Sequence, residues 1–296
     1  MIVVNWGTSN FRAFKIGAHG RVEAVKTSSR GAITVPAGGF QDALVAEVME
    51  WLDGGDNRIL MCGMVGARRG WKEAPYVPAP ASFEQVVQGV VKLDVDGMDA
   101  RIVPGLIGED SNGVPDVMRG EETEILGCGT QEGNNVYWKN VSFCLPGTHT
   151  KWVQTENGRI GAFSTSMTGD LFRAIRENTI LRSVAHHEPN DESAFMRGVV
   201  RASQDGELGH QLFGVRTLVL TGKMNETSAS SYLSGLLIGR EVKEMVREAY
   251  DVHLIGEMPL CTLYQRALHE FGVSPTIEPE GAALRGLLRI AGSITW

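Results

Sequence analysis

The stretch that most constrains this chain is its first strand and the turn after it, Ile2-Val3-Val4-Asn5-Trp6-Gly7-Thr8-Ser9-Asn10-Phe11. An apolar run enters a turn of small polar residues, and a second run, Phe11 to Ile16, leaves it. A second turn near residue 20 leads into a third short strand. Gly7 lets the backbone approach a ligand closely. Thr8, Ser9 and Asn10 add hydroxyl and amide groups to the backbone N–H groups there, a combination that suits phosphate oxygens. A plain polar hairpin fits the same residues. A similar turn much later tips the balance towards phosphate.

That second turn is Leu145-Pro146-Gly147-Thr148-His149-Thr150-Lys151-Trp152. Gly147 and Thr148 match the chemistry of Gly7 and Thr8, and Lys151 brings a cation that a phosphate site can use. The string is not a Walker loop, because the first Gly and the hydroxyl after the Lys are missing. His149 reads as a hydrogen-bonding turn residue in preference to a nucleophile or base. Between the turns, Gly120 precedes a helix that starts with Glu121. A helix amino terminus favours an ionised carboxylate, which can take a hydroxyl proton as the oxygen attacks phosphorus. Taken alone, Glu121, Glu122 and Glu124 read better as helix-start acids on a solvated face.

Length sets the scale: 296 residues allow one large domain or two medium ones. A net charge of -7 disfavours nucleic acid and anionic membrane surfaces as partners. Cys62, Cys128, Cys144 and Cys261 form no C-x-x-C pair and read as free thiols of a reducing compartment. No signal peptide and no apolar stretch of bilayer length is visible, so a cytoplasmic location is expected. A homodimer is the default assembly.

Periodicity predicts alternating strands and helices. Helices are expected at 41–52 (stopped by Asp53-Gly54-Gly55), 121–126, 168–178, 192–203, 229–249, 259–271 and 280–291. Strands are expected at 58–62, 101–106, 142–145, 151–155, 160–163, 216–221 and 251–255. A crossover in the Gly- and Pro-bearing stretch 107–120 divides the chain into domains 1–106 and 107–296, with the last helix free to pack back on the first. Strands with a polar turn and then α/β units occur twice, so two similar lobes around a cleft are expected.

Together these pieces resemble the actin–hexokinase (ribonuclease H-like) ATPase fold. Trp6-Gly7-Thr8-Ser9-Asn10, Gly63-Met64-Val65-Gly66, Gly70-Trp71, Ala74-Pro75-Tyr76, Pro104-Gly105, Met118-Arg119-Gly120-Glu121-Glu122-Thr123, Pro146-Gly147-Thr148-His149, Met167-Thr168-Gly169 and Leu233–Gly239 resemble, in order, the 2-keto-3-deoxygalactonokinase family. That resemblance implies ATP-dependent phosphorylation of the 6-hydroxyl of 2-dehydro-3-deoxy-D-galactonate in D-galactonate catabolism. It implies ATP on Gly7, Thr8, Ser9, Gly147, Thr148 and Lys151, with adenosine at Gly256, and Mg²⁺ near the phosphates. Glu121 would be the base. Met64, Gly66 and the loop bearing Trp71 and Tyr76 are candidate walls for the sugar acid, although Trp71 and Tyr76 read equally well as residues that only pack the loop; Arg119, Arg12, Arg68 and Lys72 are alternative partners for its carboxylate. Two departures stand out. Asn5 occupies the place of a metal-site Asp and lacks its charge, and Asp170 stands where Glu is commoner. Asn5 motivates an alternative, a weak or non-catalytic sugar-acid binder; a phosphoanhydride hydrolase on the same fold is another.

Overall fold

The computed structural model describes the whole chain except residues 53–55, 96, 111, 133–134, 138–139, 248 and 250, together with the side chains of 130–132 and 135–137. The expected helix stop at Asp53-Gly54-Gly55 lies outside the described residues. The helices are α1 (Phe40–Leu52), α2 (Phe83–Gln88), α3 (Glu121–Cys128), α4 (Thr168–Asn178), α5 (Glu192–Ser203), α6 (Leu208–Leu220), α7 (Glu226–Met245), α8 (Met258–Glu270) and α9 (Ala282–Ser293). The chain forms two compact units. Unit 1 comprises Met1–Asn140, Thr155–Phe163 and Pro279–Trp296; unit 2 comprises Val141–Gln154 and Ser164–Glu278.

Unit 1 is built on a mixed sheet. Strands β1 (Ile2–Trp6), β2 (Phe11–Ile16) and β3 (Val22–Ser28) form an antiparallel meander, and β4 (Arg58–Gly63) joins β1 in parallel. Asp99–Ile102 extends the sheet in parallel beside β4. Ile2, Val3, Val4 and Trp6 are all buried, the pattern of a strand covered on both faces. Trp6 anchors the core beneath the turn. Its ring meets Phe11 edge-on at 5.0 Å and Phe40 of α1 at 5.5 Å, and its Nε1 donates to the Arg30 carbonyl.

The boundary expected at 106/107 falls inside unit 1. The stretch read as a crossover is a hairpin, Leu106–Glu109 against Pro115–Met118, and it leads directly into α3. Its glycines and proline shape turns within one body and do not link two. α9, far along the chain, also belongs to unit 1, where it packs on α3. A Cβ on Gly127 would lie 1.9 Å from the Ala282 carbonyl oxygen, and one on Gly286 would lie 1.9 Å from that of Thr123.

Unit 2 begins with Val141–Leu145, buried at every position. It pairs in parallel with Val252–Leu254, which pairs in parallel with Thr276–Ile277. Helices α5 and α7 pack backbone to backbone at Gly198, Gly235 and Gly239. Residues 216–221, expected as a strand, form the end of α6 and its C-cap, Thr221. Their apolar run is compatible with either structure. Glu207 decides it by capping the helix through Gly209 and His210 N–H, and burial of Val215 fixes the face.

Candidate active site

In unit 1 the first turn is tight and supported from behind. Gly7 N–H donates to the Asn10 carbonyl at 2.9 Å, while Ala32 N–H donates to the Gly7 carbonyl. Gly31 is pressed so close that a Cβ there would lie 2.1 Å from the Thr8 carbonyl oxygen. This leaves Thr8 and Ser9 exposed on a fixed backbone. The adjacent strand ends meet beneath it. Asn5 pairs with Cys62 and Trp6 with Gly63. Gly63 has φ +91°, and a Cβ there would crowd the Trp6 carbonyl at 2.7 Å and Asn5 Oδ1 at 3.4 Å. A Cβ on Gly120, at φ +110°, would reach Gly63 Cα at 3.3 Å. Asn5, Gly63 and the start of α3, separated widely in sequence, therefore share one corner of unit 1.

Two backbone donors hold the acids of α3. Arg119 N–H donates to Glu121 Oε2 at 2.9 Å, and Gly120 N–H donates to Glu122 Oε2 at 2.7 Å. Thr123 Oγ1 donates to Glu122 Oε1 at 2.8 Å. Glu122 is fully buried, and burial, reinforced by Glu121, pushes its pKa up to about 7. Burial, then Glu121 and Glu122, push Glu124 up to about 8. The three acids therefore differ: Glu121 is half-buried at the helix start, whereas Glu122 turns inward.

The expected sugar-acid residues fall into two groups. Met64 is exposed just after β4, and Gly66 is buried close behind it. Trp71 stacks on Phe40 at 6.5 Å and packs on the unit 1 core. Arg119 is buried, its guanidinium 4.4 Å over the Tyr76 ring and its Nη2 donating to the Ala74 carbonyl at 2.7 Å. Its Nη1 packs against Gly66, and Nε and Nη1 have no hydrogen-bond partner. Arg119 thus ties the 71–76 loop to the residue before Gly120. Arg12 and Arg68 are exposed cations, while Lys72 Nζ donates to the Lys92 carbonyl.

In unit 2 the second turn is held as firmly. Gly169 sits on it so closely that a Cβ there would lie 2.6 Å from the Gly147 carbonyl oxygen, and Asp170 N–H donates to the Thr148 carbonyl. His149 Nε2 lies 3.3 Å from Asp170 Oδ2, in keeping with a turn-bracing role. The Arg173 guanidinium, then His149, hold the Asp170 carboxyl below the usual range. Lys151 is buried, with Nζ donating to Thr165 Oγ1. Gly256, at φ +153°, brings the expected adenosine segment to the turn, since a Cβ there would lie 3.5 Å from the Pro146 carbonyl oxygen. Gly256 therefore lies against Pro146, the residue before Gly147.

A buried network lies under this turn that the sequence reading did not single out. Glu241 of α7 accepts from Trp152 Nε1 at 2.7 Å and Tyr264 Oη at 2.9 Å, and is also hydrogen-bonded by Thr168. Its one sequence signal is an acid inside the apolar stripe Leu237, Ile238, Val242 and Met245.

A family model described as 2-keto-3-deoxy-galactonokinase matches residues 5–290. The chain belongs to that family. A Rhizobium meliloti (strain 1021) relative named probable 2-dehydro-3-deoxygalactonokinase is 37% identical, covering 99% of this chain and 96% of its own. The Escherichia coli (strain K12) protein named 2-dehydro-3-deoxygalactonokinase is 31% identical, covering 99% and 98%. A solved structure from Sinorhizobium meliloti, described provisionally as a 2-dehydro-3-deoxygalactonokinase, has a TM-score of 0.90 at 36% identity, covering 98% of this chain and 97% of that one. The two-unit α/β fold is thus shared with that relative, and the family is one of sugar-acid kinases. No described helix is long and apolar enough to cross a membrane.

As a donor set for Mg²⁺, Asn5 offers an amide oxygen that can accept from a metal-bound water but brings no charge. Among the described residues, the group of three metal-ligating types that lies close together is His186, His187 and Glu226, none of them an expected metal residue.

Proposed function

We propose that this chain transfers the terminal phosphoryl group of ATP to the 6-hydroxyl of 2-dehydro-3-deoxy-D-galactonate, as a step of D-galactonate catabolism in the cytoplasm. Its kinship over the whole length with relatives named for that kinase carries the reading. Family membership also favours a kinase over a phosphoanhydride hydrolase.

Glu121 is the proposed base. It starts α3, where the helix field favours its ionised form, and the Arg119 N–H fixes one of its oxygens. Gly147 and Thr148 of unit 2 would take the phosphates and the Gly256 segment the adenosine. Gly7, Thr8 and Ser9 of unit 1 would add donors to the phosphate oxygens. Lys151, buried on Thr165, would contribute charge from beneath the turn. Mg²⁺, when bound, neutralises charge on the phosphate oxygens, and Asn5 would meet it through water. Met64 and Gly66 would line the sugar acid. Because Arg119 and Trp71 pack the 71–76 loop, we assign them to shaping that wall, with Tyr76 under the Arg119 guanidinium. Arg12 and Arg68 are then the better cations for the substrate carboxylate.

The test is a panel of 2-keto-3-deoxy sugar acids assayed with MgATP and MnATP, with product analysis. Phosphate transfer to the galactonate-derived acid supports the reading. Binding without turnover, restored by Asn5→Asp, would favour the non-catalytic binder instead, and phosphate release without an acceptor would favour the hydrolase. Light scattering of the same sample tests the expected homodimer.

A further inference from the structure

We propose that Glu241, acting through Tyr264, Thr150 and Thr168, is a positioning residue for the nucleotide turn at Gly147-Thr148. The inference rests on the reading of that turn as the ATP phosphate site. Glu241 is buried, with 7% of its surface exposed, and no cation lies against it in any ion pair among the described residues. A carboxylate so placed is costly unless donors surround it. It has three, and they come from three different elements. Trp152 belongs to the strand leaving the turn, Tyr264 to α8, and Thr168 opens α4.

The direction of the bonds matters. Tyr264 has one hydroxyl proton and gives it to Glu241, so at the 2.8 Å contact Thr150 Oγ1 is the donor and Tyr264 Oη the acceptor. The relay therefore runs from Thr150, two residues past Thr148, to Tyr264 and then to Glu241. A charged acceptor at its end strengthens each bond before it. The α4 arm reaches the same turn through its first residues. Thr168 precedes Gly169, which packs on Gly147, and Asp170, whose N–H binds the Thr148 carbonyl. The α8 arm belongs to the helix that follows Gly256. One buried acceptor thus fixes the exit of the turn, the helix that presses on it, and the helix after the adenosine segment.

Such a clamp acts on nucleotide binding and leaves the sugar acid untouched. The test compares Thr150→Val, Thr150→Ser and Tyr264→Phe with the intact protein by steady-state kinetics, direct ATP titration and thermal melting. Thr150→Val keeps the shape and removes the donor, and Thr150→Ser keeps the donor. The expected result is a rise of about tenfold in the KM and Kd for ATP in Thr150→Val and Tyr264→Phe, with the sugar-acid KM within twofold of the intact protein. Thr150→Ser should restore most of the ATP affinity. Equal ATP affinity in all folded variants, or equal losses for ATP and sugar acid, would overturn the proposal. If a variant melts below the assay temperature, ATP titration at lower temperature supplies the same comparison. An intact protein that binds no ATP would sink the reading of the site itself.

Discussion

Glu121 and Glu122 are adjacent and chemically identical, yet the fold gives them different surroundings. Glu121 stays half-buried at the helix start; Glu122 points into the core and accepts from Gly120 N–H and Thr123 Oγ1. Glu121→Gln should lower kcat about 10²–10⁴-fold while leaving the melting temperature within a few degrees, because the amide oxygen of Gln can still accept from the Arg119 N–H. Unchanged turnover would remove Glu121 from the base role. Glu122 should show in stability instead. Its pKa is raised from an ordinary carboxylate value to about 7, so the folded chain holds a proton that the unfolded chain releases at lower pH. Its contribution is full below the ordinary value and is lost as pH rises towards 7, an effect on the order of 3 kcal/mol at most. Chemical denaturation from pH 4.5 to 7.5 should show stability falling more steeply in the intact protein than in Glu122→Gln. Parallel curves would mean that Glu122 titrates normally.

Helix α3 carries these acids, and its position depends on α9. Gly127 and Gly286 allow the two backbones to touch, and Arg285 Nε donates to the Gly127 carbonyl at 3.0 Å, with Arg289 doing the same at Leu126. Two cations at the carboxyl end of α3 complement its dipole. Gly286→Ala would place a methyl 1.9 Å from the Thr123 carbonyl oxygen, which no rotamer can relieve. We expect a loss of about 1–3 kcal/mol in stability. We also expect a fall in kcat, since Thr123 lies two residues from Glu121 in the same short helix. An unaltered melting curve would show that the helices separate readily. The amino-terminal half of this element was legible beforehand, because a glycine followed by acids at 121, 122 and 124 favours a helix start. The partner was not, because α9 lies more than 150 residues away and small residues in a helix do not name the surface they meet.

At the scale of the molecule, the chain enters unit 1 three times. The carboxyl end seals it: Leu287 and Ile290 are buried, Trp296 lies under Arg101 at 4.8 Å, and Arg101 Nη1 donates to the Thr295 carbonyl. A fragment of residues 1–140 should therefore fail to fold, giving no cooperative melt, and adding residues 279–296 as a separate peptide should restore part of the structure. A cooperative transition in the fragment alone would contradict this account. The sequence-based boundary at 106/107 came from turn-forming residues, and turn formers mark hairpins as readily as they mark links between domains.

The amino-acid sequence by itself determined the two polar turns, the helix start at Gly120-Glu121, most of the strand and helix order, and the family. Each of these depends on residues close together in the chain, where backbone preference and side-chain periodicity act directly, or on an ordered set of motifs. Tertiary structure alone decided that Arg119 packs a loop against Tyr76, that Glu122 is buried beside an acid that is not, and that residues 216–221 are helical. It also decided that Lys151 rests on Thr165 and that Glu241 collects three donors. Burial and desolvation are set by whichever distant elements close over a side chain, and a local pattern, such as the apolar stripe around Glu241, marks a buried position without naming its partners.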